Sequence, residues 1–432
     1  MNPVIGFAGL THLGLNMAAA AAAHGFNVVG FHDDCDLIAR IAEGNLPVNE
    51  PGLDELIAEH RERLTFSADA AALATCDIVY ISVDVPTDDQ GVSDLSAIRA
   101  VIKCAEQAMR ASALLVVLCQ VPPGFTRNLS RAPDQIYYQV ETLIFGRAVE
   151  RAMNPERFIV GCADAALPID PRLAAYLSAY RCPILPMRFE SAELAKISIN
   201  MCLVATISVA NTLAELCENI GADWSEIVPA LRLDRRIGQY SYIATGLGIS
   251  GGNLERDMAS AIALAETNGV PTDVIQAFVD NSRHRKNWAA SLLRRTVLDS
   301  KPSAVITILG LSYKENTNSI KNSPSISLAS SLKGAVVRGY DPWVRPDGQP
   351  ELRSIQLMGS AYAAAQGADA IALMTPWPEF RELDAARLAK VMRGNVVVDP
   401  YRLLNADAAR AAGFTHISLG APDPTLAANK PC

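Results

Sequence analysis

Short apolar runs alternate with longer stretches of helical spacing in the first part of the chain. Residues 3–8 form an apolar run that precedes a glycine-rich turn and an alanine-rich stretch, and residues 27–31 form the next apolar run. This order predicts a β-α-β opening. Further strands are predicted at 78–83, 114–118 and 158–161, between segments of helical character. The alternation predicts an α/β fold with a parallel, doubly wound sheet.

The middle of the chain has a different pattern. Apolar residues recur at helical spacing from 190 to 221 without a strong breaker, which predicts one long helix. A second helical region is predicted from about 256 to 298. Strand-like runs then return and predict a second α/β unit, at 304–310, 335–339, 370–374 and 396–398.

Together these patterns predict two Rossmann-like, doubly wound domains joined by a long central helix and a helical middle domain. The expected ranges are 1–187 for the first Rossmann-like domain, 188–298 for the helical domain and 299–432 for the second Rossmann-like domain. A chain of 432 residues is too long for one hydrophobic core, so two or three domains are expected from length alone.

Composition and charge narrow the classes of partner. Half of the residues are apolar, 19% are charged, and the formal net charge is −8. A chain with this charge has no general field that would attract nucleic acid or an acidic membrane surface. An anionic ligand must therefore be held locally, by helix N-termini and single basic residues.

The nine cysteines include no C-x-x-C pair, and no histidine cluster has metal-ligand spacing. In a chain of this size the pattern predicts reduced thiols in a cytoplasmic protein without a metal site. No run reaches the roughly 20 apolar residues that a membrane-spanning helix needs, so no membrane span is expected. The apolar run 15–23 follows a glycine-rich turn, and it is interpreted as the first helix of a nucleotide-binding unit rather than as a signal peptide.

The segment between the first strand and the first helix has two glycines of a dinucleotide-binding turn. Gly9 permits the tight turn, and Gly14 allows the helix to pack closely on the strand. The helix N-terminus then offers N–H groups to a pyrophosphate. Thr11 replaces the middle glycine, and His32, followed by Asp33, replaces the ribose-binding acid after the second strand. The predicted cofactor contacts in this region are Gly9, Thr11, His12, Leu13, Gly14 and Asp33.

Several further segments resemble, in the same order, segments of nucleotide-sugar 6-dehydrogenases. In the first part of the chain they are Glu50-Pro51-Gly52-Leu53, Val83-Asp84-Val85-Pro86-Thr87, Val121-Pro122-Pro123-Gly124 and Asn154-Pro155-Glu156-Arg157. In the second part they are Ala192-Glu193-Leu194-Ala195-Lys196, Arg236-Ile237-Gly238, the segment 246–257, Gly310-Leu311-Ser312-Tyr313-Lys314 and Ser323-Pro324. Because these segments extend over essentially the whole chain, the sequence resembles the UDP-glucose/GDP-mannose dehydrogenase family throughout.

The resemblance implies NAD as the cofactor, a UDP-linked sugar as the substrate, a role in polysaccharide biosynthesis and a homodimer. In the family the N-terminal domain binds NAD, the long central helix forms the dimer contact, and the C-terminal domain binds the UDP-sugar. The enzymes oxidise a sugar C6 alcohol to a carboxylic acid with two NAD. A cysteine thiolate captures the aldehyde intermediate, and the resulting thiohemiacetal is oxidised to a thioester that water hydrolyses.

The resemblance also assigns catalytic residues. Lys196, Asn200 and Asp257 fall on the family's catalytic lysine, asparagine and aspartate, whose expected roles are oxyanion stabilisation and water positioning. Glu141 falls on the family's general-base glutamate. Lys196 and Asn200 are four residues apart, so they are expected to share one face of a helix.

Asn253 lies where the family has its catalytic cysteine. An amide is neither a nucleophile nor a base, so the thioester route is closed at this residue. Gln120 likewise replaces the family's threonine, and Cys119 and Cys202, which lie near matching segments, are interpreted as buried small apolar residues. The sequence therefore predicts that the four-electron oxidation is impaired or absent, which leaves a two-electron oxidation, a reversible reduction or a reaction on a bound aldehyde chemically open.

The remaining predicted contacts divide between cofactor and substrate. Lys321 matches the family's cofactor-contacting arginine and keeps its charge without its planar fork. Lys314 is expected to meet a diphosphate, and residues 246–252 are expected to form a flexible loop around the sugar nucleotide. The other predicted cofactor contacts are Val85, Pro86 and Gln120, and the predicted substrate contacts are Arg236, Gly248, Gly251, Gly252 and Lys314.

Two alternatives stay open at this point. The departures at Thr11, His32 and Asn253 leave room for a nucleotide-sugar-binding protein without dehydrogenase activity. They also leave room for a reaction without net redox change, such as epimerisation through a transient keto sugar with tightly held NAD. The presence of all four matched catalytic residues other than the cysteine favours a working site.

Overall fold

A computed structural model of the chain describes residues 2–86, 88, 93–250, 253–346 and 349–427. The chain forms two compact units, Met1–Ile199 and Asn200–Cys432. Each unit is built on one sheet, and each sheet is described by itself below.

The first unit contains eight strands. They are β1 (Ile5–Ala8), β2 (Val28–Phe31), β3 (Leu64–Ser67), β4 (Ile78–Ile81), β5 (Leu114–Val117), β6 (Ile136–Gln139), β7 (Phe158–Cys162) and β8 (Ile184–Arg188). Their order in the sheet is β3-β2-β1-β4-β5-β6-β7-β8. The first six strands follow the 3-2-1-4-5-6 order of a Rossmann fold.

The predicted parallel sheet is confirmed for β1 to β6 and wrong for the last two strands. β6 and β7 are antiparallel, and β8 is parallel to β7. The edge strands β3 and β8 were not predicted from the sequence. Most of their residues are only partly buried or exposed, so they lack the continuous apolar runs that mark the buried strands.

Helices cover both faces of this sheet. They are α1 (His12–Ala23), α2 (Cys35–Ala42), α3 (Leu53–Glu59), α4 (Ser96–Ala108), α5 (Ala148–Met153), α6 (Pro171–Ser178) and α7 (Phe189–Ile220). Along β4, Ile78 and Tyr80 pack in one apolar cluster and Val79 and Ile81 in another, so both faces of the strand are buried. In α1 every residue from Leu13 to Ala22 is buried, because its alanines allow the helix to lie close to the sheet.

The predicted long helix is confirmed as α7, which begins in the first unit and continues in the second. Among the described residues it is the one helix whose length and composition would suit a membrane span, with a mean hydropathy of 1.6 over its most apolar window. The expectation that no stretch would pass this test is therefore wrong. One such helix is weak evidence for a membrane, since core helices have the same composition, and Val204, Ala210 and Ala214 of α7 are buried inside the second unit.

The second unit continues with a helical block and then a second α/β sheet. Its helices after α7 are α8 (Trp224–Leu233), α9 (Asn253–Thr267), α10 (Asp273–Lys286), α11 (Trp288–Leu293), α12 (Pro324–Ser331), α13 (Ala361–Ala365), α14 (Pro378–Arg381), α15 (Ala385–Val391), α16 (Ala406–Ala411) and α17 (Pro424–Ala427). Its strands are β9 (Val305–Leu309), β10 (Val336–Tyr340), β11 (Gln356–Leu357), β12 (Ala370–Leu373), β13 (Val396–Val398) and β14 (Thr415–Ile417).

The second sheet has the order β11-β10-β9-β12-β13-β14, which again is the Rossmann order. Every pair in it is parallel. The predicted α/β architecture, with two Rossmann-like folds and a long helix between them in sequence, is therefore confirmed. The sequence did not predict β11, which has only two residues, or β14, whose first two residues, Thr415 and His416, are polar.

Candidate active site

The glycine-rich turn after β1 has the close backbone packing of a dinucleotide-binding turn. Gly9 has φ 105°, and a Cβ there would lie 2.5 Å from a side-chain carbon of Val83. Gly14 lies against the turn itself, and its Cβ would come within 1.9 Å of the Gly9 carbonyl oxygen. The first turn of α1 therefore reaches its position only with glycine at both sites. This geometry fits a bound dinucleotide, and the contact of these residues with NAD stays a prediction.

Thr11, in place of the middle glycine, precedes the first residue of α1. Its hydroxyl donates to the carbonyl of Ser82 at 3.1 Å and does not cap the helix. The helix N-terminus is thus left without a side-chain cap from Thr11, which suits a phosphate as the acceptor of its N–H groups. Leu13 is buried in the core, so only its backbone can face a ligand.

The two aspartates that follow β2, Asp33 and Asp34, differ in their contacts. Asp34 accepts the N–H groups of Asp36 and Leu37 at 2.9 and 3.0 Å and so caps α2, and the bond from Leu37 lowers the pKa of this carboxyl. His32 accepts the N–H of Asp34 at its Nδ1. Asp33, whose side chain is 90% exposed, is therefore the acid of this segment that a ribose could reach.

The predicted cofactor contacts after β4 and β5 lie at the same sheet edge, because the carboxyl ends of parallel strands share one edge. Val85 packs against the apolar cluster beneath it, and the carbonyl of Pro86 accepts the N–H of Asp94 at 2.9 Å. Gln120 follows β5 and is half-buried. Lys321 is an exposed residue of the second unit, just before α12, and its contact with the cofactor stays a prediction.

Two predicted catalytic residues meet in the first unit. The Lys196 ammonium on α7 donates to the Glu141 carbonyl at 2.9 Å and to its carboxylate at 3.1 Å. The N–H of Leu143 donates to the other carboxylate oxygen. Both side chains are mostly buried, so this ion pair fixes the charged end of Lys196 against the loop that follows β6.

Glu193, one turn before Lys196, is a residue that the sequence did not single out. Its buried carboxylate accepts the N–H groups of Gly124 and Thr126 at 2.5 and 2.8 Å. Burial raises the pKa of this carboxyl. These hydrogen bonds join two of the matched segments, because Glu193 of the segment 192–196 accepts from the backbone at the end of the segment 121–124. Only the fold reveals this, because the partners are about 70 residues apart.

The other two predicted catalytic residues meet in the second unit. Asn200 donates from its side-chain amide to the carboxylate of Asp257, which is fully buried and also accepts from Nε of Arg256 at 3.1 Å. Asn253 is the first residue of α9, and its side chain is exposed. It is four residues before Asp257, so the two side chains share one face of the helix.

A cavity of about 440 Å³ in the second unit lies beside the predicted substrate loop. Its volume is within the range of sites for small molecules. Gly248 lines it with φ 75°, and a Cβ there would lie 2.4 Å from the Ser282 carbonyl oxygen. Arg232, Tyr240 and Tyr242 also line it, and the sequence did not single them out.

The other predicted substrate contacts are placed elsewhere or are not described. Arg236 is 89% exposed, pairs with Asp234 at 2.6 Å and does not line the cavity. The Lys314 ammonium lies 5.6 Å from the ring centroid of Tyr313. Gly251 and Gly252 lie outside the described residues.

Neither nearby cysteine supplies the missing thiolate. Cys119 is buried as predicted, its thiol donates to the carbonyl of Ile81 at 3.1 Å, and burial raises its pKa far above the ordinary range. The prediction that Cys202 is buried is wrong, since it is exposed on α7. It is two residues from Asn200 and hence about 200° around the helix, so it faces away from the Asn200 side chain.

The comparisons with known proteins agree with this arrangement. Sequence models of three domains of the UDP-glucose/GDP-mannose dehydrogenase family match the chain: the NAD binding domain at residues 4–170, the central domain at 190–283 and the UDP binding domain at 307–406. A UDP-glucose 6-dehydrogenase of Haloferax volcanii is 32% identical over 433 residues, which cover 95% of this chain and 98% of that protein. A UDP-glucose 6-dehydrogenase of Bacillus subtilis is 29% identical, over 96% and 92% of the two chains.

Solved structures give the same result. The fold is similar to that of a UDP-glucose dehydrogenase from Pyrobaculum islandicum, with a TM-score of 0.82 and 27% identity over 92% of this chain and 94% of that chain. A UDP-D-ManNAc dehydrogenase from Pyrococcus horikoshii shares the fold with a TM-score of 0.83 at 24% identity, over 97% and 100% of the two chains. The chain therefore belongs to the UDP-glucose/GDP-mannose dehydrogenase family, as an NAD-dependent nucleotide-sugar dehydrogenase.

Proposed function

We propose that this protein oxidises the C6 hydroxyl of a UDP-linked sugar to the aldehyde, with one NAD per sugar, and forms no thioester. The relatives named above are UDP-glucose dehydrogenases, which supports UDP-glucose as the first substrate to test. The single observation that carries the two-electron limit is Asn253, an amide at the position of the cysteine nucleophile. The buried Cys119 and the outward-facing Cys202 support it, because neither replaces the thiolate.

The residues of the chain supply the proton chemistry. NAD, held at the turn before α1, provides the hydride acceptor when it is bound. We assign the Glu141 carboxylate as the base that takes the proton of the C6 hydroxyl. Its partner Lys196 stabilises the negative charge that develops on the sugar oxygen. Asn200 and Asp257, which are hydrogen-bonded to each other, are assigned to hold the reacting hydroxyl or a water molecule in place.

The positions of several predicted residues in the fold support the proposed cofactor and substrate contacts. For NAD we propose the backbone of the turn residues Gly9, Thr11, His12 and Gly14, with Asp33 at the ribose; the His12 side chain itself lies against Glu50 and Phe145. For the sugar nucleotide we propose the loop 246–252, where Gly248 lines the 440 Å³ cavity, and the lysine Lys314. Tyr240 and Tyr242 in the same cavity offer aromatic faces to a base or a sugar ring.

The count of NADH formed per UDP-glucose consumed tests this function. One NADH per sugar, with an aldehyde that a carbonyl reagent traps, is the expected result. Two NADH per sugar would show that full oxidation proceeds without the cysteine. No NADH with any nucleotide sugar, despite binding by calorimetry, would favour a binding protein or a reaction without net redox change.

We also propose a homodimer formed through α7. Four apolar side chains on one side of this helix are 40–60% exposed: Val209, Leu213, Leu216 and Ile220. Their spacing of three or four residues makes a continuous stripe on the helix surface. A stripe of this kind is costly in water, and a second copy of the same helix would cover it symmetrically. Sedimentation of a monomer at micromolar concentration would contradict this proposal.

We also propose three domains with the ranges expected from the sequence. The three family models match residues 4–170, 190–283 and 307–406, so each lies within one of the expected ranges 1–187, 188–298 and 299–432.

We propose a cytoplasmic setting for the protein. All eight cysteines among the described residues are unpaired, which supports a reducing cytoplasmic compartment. The proposed oxidation of a UDP-linked sugar suits polysaccharide biosynthesis, and the substrate test above would identify the sugar that enters that pathway.

A further inference from the structure

The loop between β6 and α5, which carries Glu141 at its start, is fixed at its far end by Glu50. The Glu50 side chain is 1% exposed. Its carboxylate accepts the N–H of Gly146 at 2.8 and 3.0 Å and the N–H of Ala148 at 3.3 Å. Glu50 opens one of the segments that match the family, yet it has no part in the cofactor, proton-transfer or sugar contacts assigned above.

The remaining partner of Glu50 is His12, the first residue of α1. Its Nε2 lies 2.7 Å from the Glu50 carboxylate. The His12 ring also stacks on Phe145 of the same loop, with ring centroids 4.1 Å apart and an angle of 28°. His12 therefore contacts the loop twice, once through a buried carboxylate and once ring to ring.

The position of His12 is set by the turn that precedes it. Gly9 and Gly14 pack without space for a Cβ, so the backbone at the start of α1 is fixed against Ser82 and Val83, the two residues that follow β4. A shift of this turn moves the imidazole, and Glu50 cannot lose that partner cheaply because a buried carboxylate needs its donors. The loop has its second anchor at Glu141, which Lys196 holds.

We propose that His12 is a positioning residue that couples the NAD-binding turn to the loop that carries Glu141. Through Glu50 and Phe145 it holds this loop in one conformation, and an ordered loop in turn keeps the start of α1 ready for the cofactor. NAD binding and the order of residues 141–148 are therefore linked, and each stabilises the other. The inference rests on the NAD dependence of the family and does not require the two-electron limit proposed above.

The variant His12→Phe tests the coupling, since it keeps a ring to stack on Phe145 and removes the hydrogen bond to Glu50. NAD affinity is measured by calorimetry without sugar, and amide hydrogen exchange is measured over residues 141–148. We expect the dissociation constant for NAD to rise about tenfold, the scale of one hydrogen bond to a charged group. We also expect Gly146 and Ala148 to lose protection, and added NAD to restore less of it than in the unchanged protein.

His24→Phe is the matched control. His24 follows the other end of α1, bonds the Met153 carbonyl at 3.0 Å through Nε2 and packs on Tyr180 with ring centroids 4.0 Å apart. It has the same kind of contacts as His12 without touching Glu50 or the turn. Its substitution is expected to change the melting temperature while leaving NAD affinity and exchange over 141–148 as they were.

His12→Gln is the rescue variant, because its amide can still donate to Glu50. It is expected to recover most of the NAD affinity and loop protection, and it serves as the test if His12→Phe does not fold. Unchanged exchange over residues 141–148 in His12→Phe would overturn the inference even if NAD affinity fell, because the loss of a direct contact would lower the affinity without loosening the loop. An equal effect of His24→Phe would overturn it as well, since the loss would then reflect general stability. Because no sugar is present, these outcomes are independent of whether the protein oxidises UDP-glucose.

Discussion

Asn253 carries a carboxamide at the first residue of α9, on the helix face that it shares with the buried Asp257. The helix N-terminus would favour a thiolate at the same place, because the N–H dipoles stabilise negative charge. The chemistry at this residue therefore depends on the side chain alone, and the exposed position can accept a small substitution without repacking.

Asn253→Cys is expected to raise the yield from one to two NADH per UDP-glucose. The thiolate can capture the aldehyde, and the thiohemiacetal can then give up a second hydride. The end-point absorbance of NADH with limiting sugar measures the yield. Asn253→Ser is the control and is expected to stay at one, since a hydroxyl is a poor nucleophile at neutral pH. A yield of one with the cysteine present would mean that more than the thiol is missing.

Lys196→Met is expected to lower kcat by about 10²-fold or more, the usual effect of losing a group that stabilises a developing oxyanion. The change also leaves Glu141 without its ammonium partner. Steady-state NADH formation measures the effect. Lys301→Met is the control, because it removes a lysine partner of Asp369, at 2.9 Å, outside the proposed site. Equal losses in both variants would contradict a catalytic role for Lys196.

At the scale of elements, two glutamates near the start of α7 join this helix to the segment that follows β5. Glu193 binds the backbone at Gly124 and Thr126, and Glu190 pairs with Arg127 through both oxygens. Lys196 lies one to two turns further along the same helix. The start of α7, and with it the height of Lys196 above the sheet, is therefore set by contacts that involve no catalytic group.

The Glu190 pair gives stability a defined pH dependence. The hydrogen bond from Arg127 lowers the pKa of Glu190 from 4.5 to about 2. A carboxyl with a depressed pKa stabilises the folded state above its unfolded pKa, and this contribution is lost as pH falls through the folded value. Glu190→Gln is therefore expected to melt below the unchanged protein at pH 7, and the two melting temperatures are expected to converge between about pH 4.5 and pH 2.

Arg127→Gln tests the cause. In the Arg127→Gln variant, Glu190 has lost the donor that lowers its pKa. A further Glu190→Gln change is therefore expected to have little effect on the melting temperature, both at pH 7 and at about pH 2. A difference between Glu190→Gln and the unchanged protein that persists to pH 2 would contradict the assignment. Because the pair is partly exposed, salt is expected to weaken its effect.

The strand-turn-helix element at the NAD site depends on a close backbone contact. Gly14→Ala would place a Cβ 1.9 Å from the Gly9 carbonyl oxygen, so the helix must move away from the turn. We expect a loss of about 3 kcal/mol or more in the free energy of unfolding, together with weaker NAD binding. Chemical denaturation and calorimetry measure the two effects.

Gly359→Ala is the control for that change. No atom lies within 4 Å of a Cβ at Gly359, and its backbone is not in the left-handed region. Its effect on the free energy of unfolding is expected to stay within about 0.5 kcal/mol. If Gly14→Ala were equally mild, the close packing of the turn would not be needed for folding.

At the scale of the whole molecule, the exposed stripe on α7 governs the expected assembly. Leu213→Glu places a charge at the centre of the stripe, where burial of an unpaired carboxylate is costly. We expect this variant to sediment as a monomer at concentrations where the unchanged protein is a dimer. Leu167→Glu, which alters an equally apolar and 62% exposed side chain in the first unit, is expected to leave the dimer intact. A dimer that survives Leu213→Glu would place the interface elsewhere.

The sequence by itself determined the class of fold, because the order of strands and helices follows from local patterns of apolar residues. The runs that became β1, β2, β4 and β5 are apolar on both faces, and the spacing along α7 is helical for over thirty residues. The matched segments gave the family, and with it the residues that the structure groups as Lys196 with Glu141 and Asn200 with Asp257. Asn253 in place of a thiol was also visible in the sequence alone.

The tertiary structure decided what depends on partners far apart in the chain. The reversal of β7 and β8 leaves no local signal, since strand direction is fixed by how the chain returns to the sheet. The exposure of Cys202 depends on which face of α7 is covered. The hydrogen bond that the Gly124 N–H donates to Glu193 and the bond between His12 and Glu50 join residues 69 and 38 positions apart. Local pattern fixes elements, whereas burial and hydrogen-bond partners exist only once those elements pack.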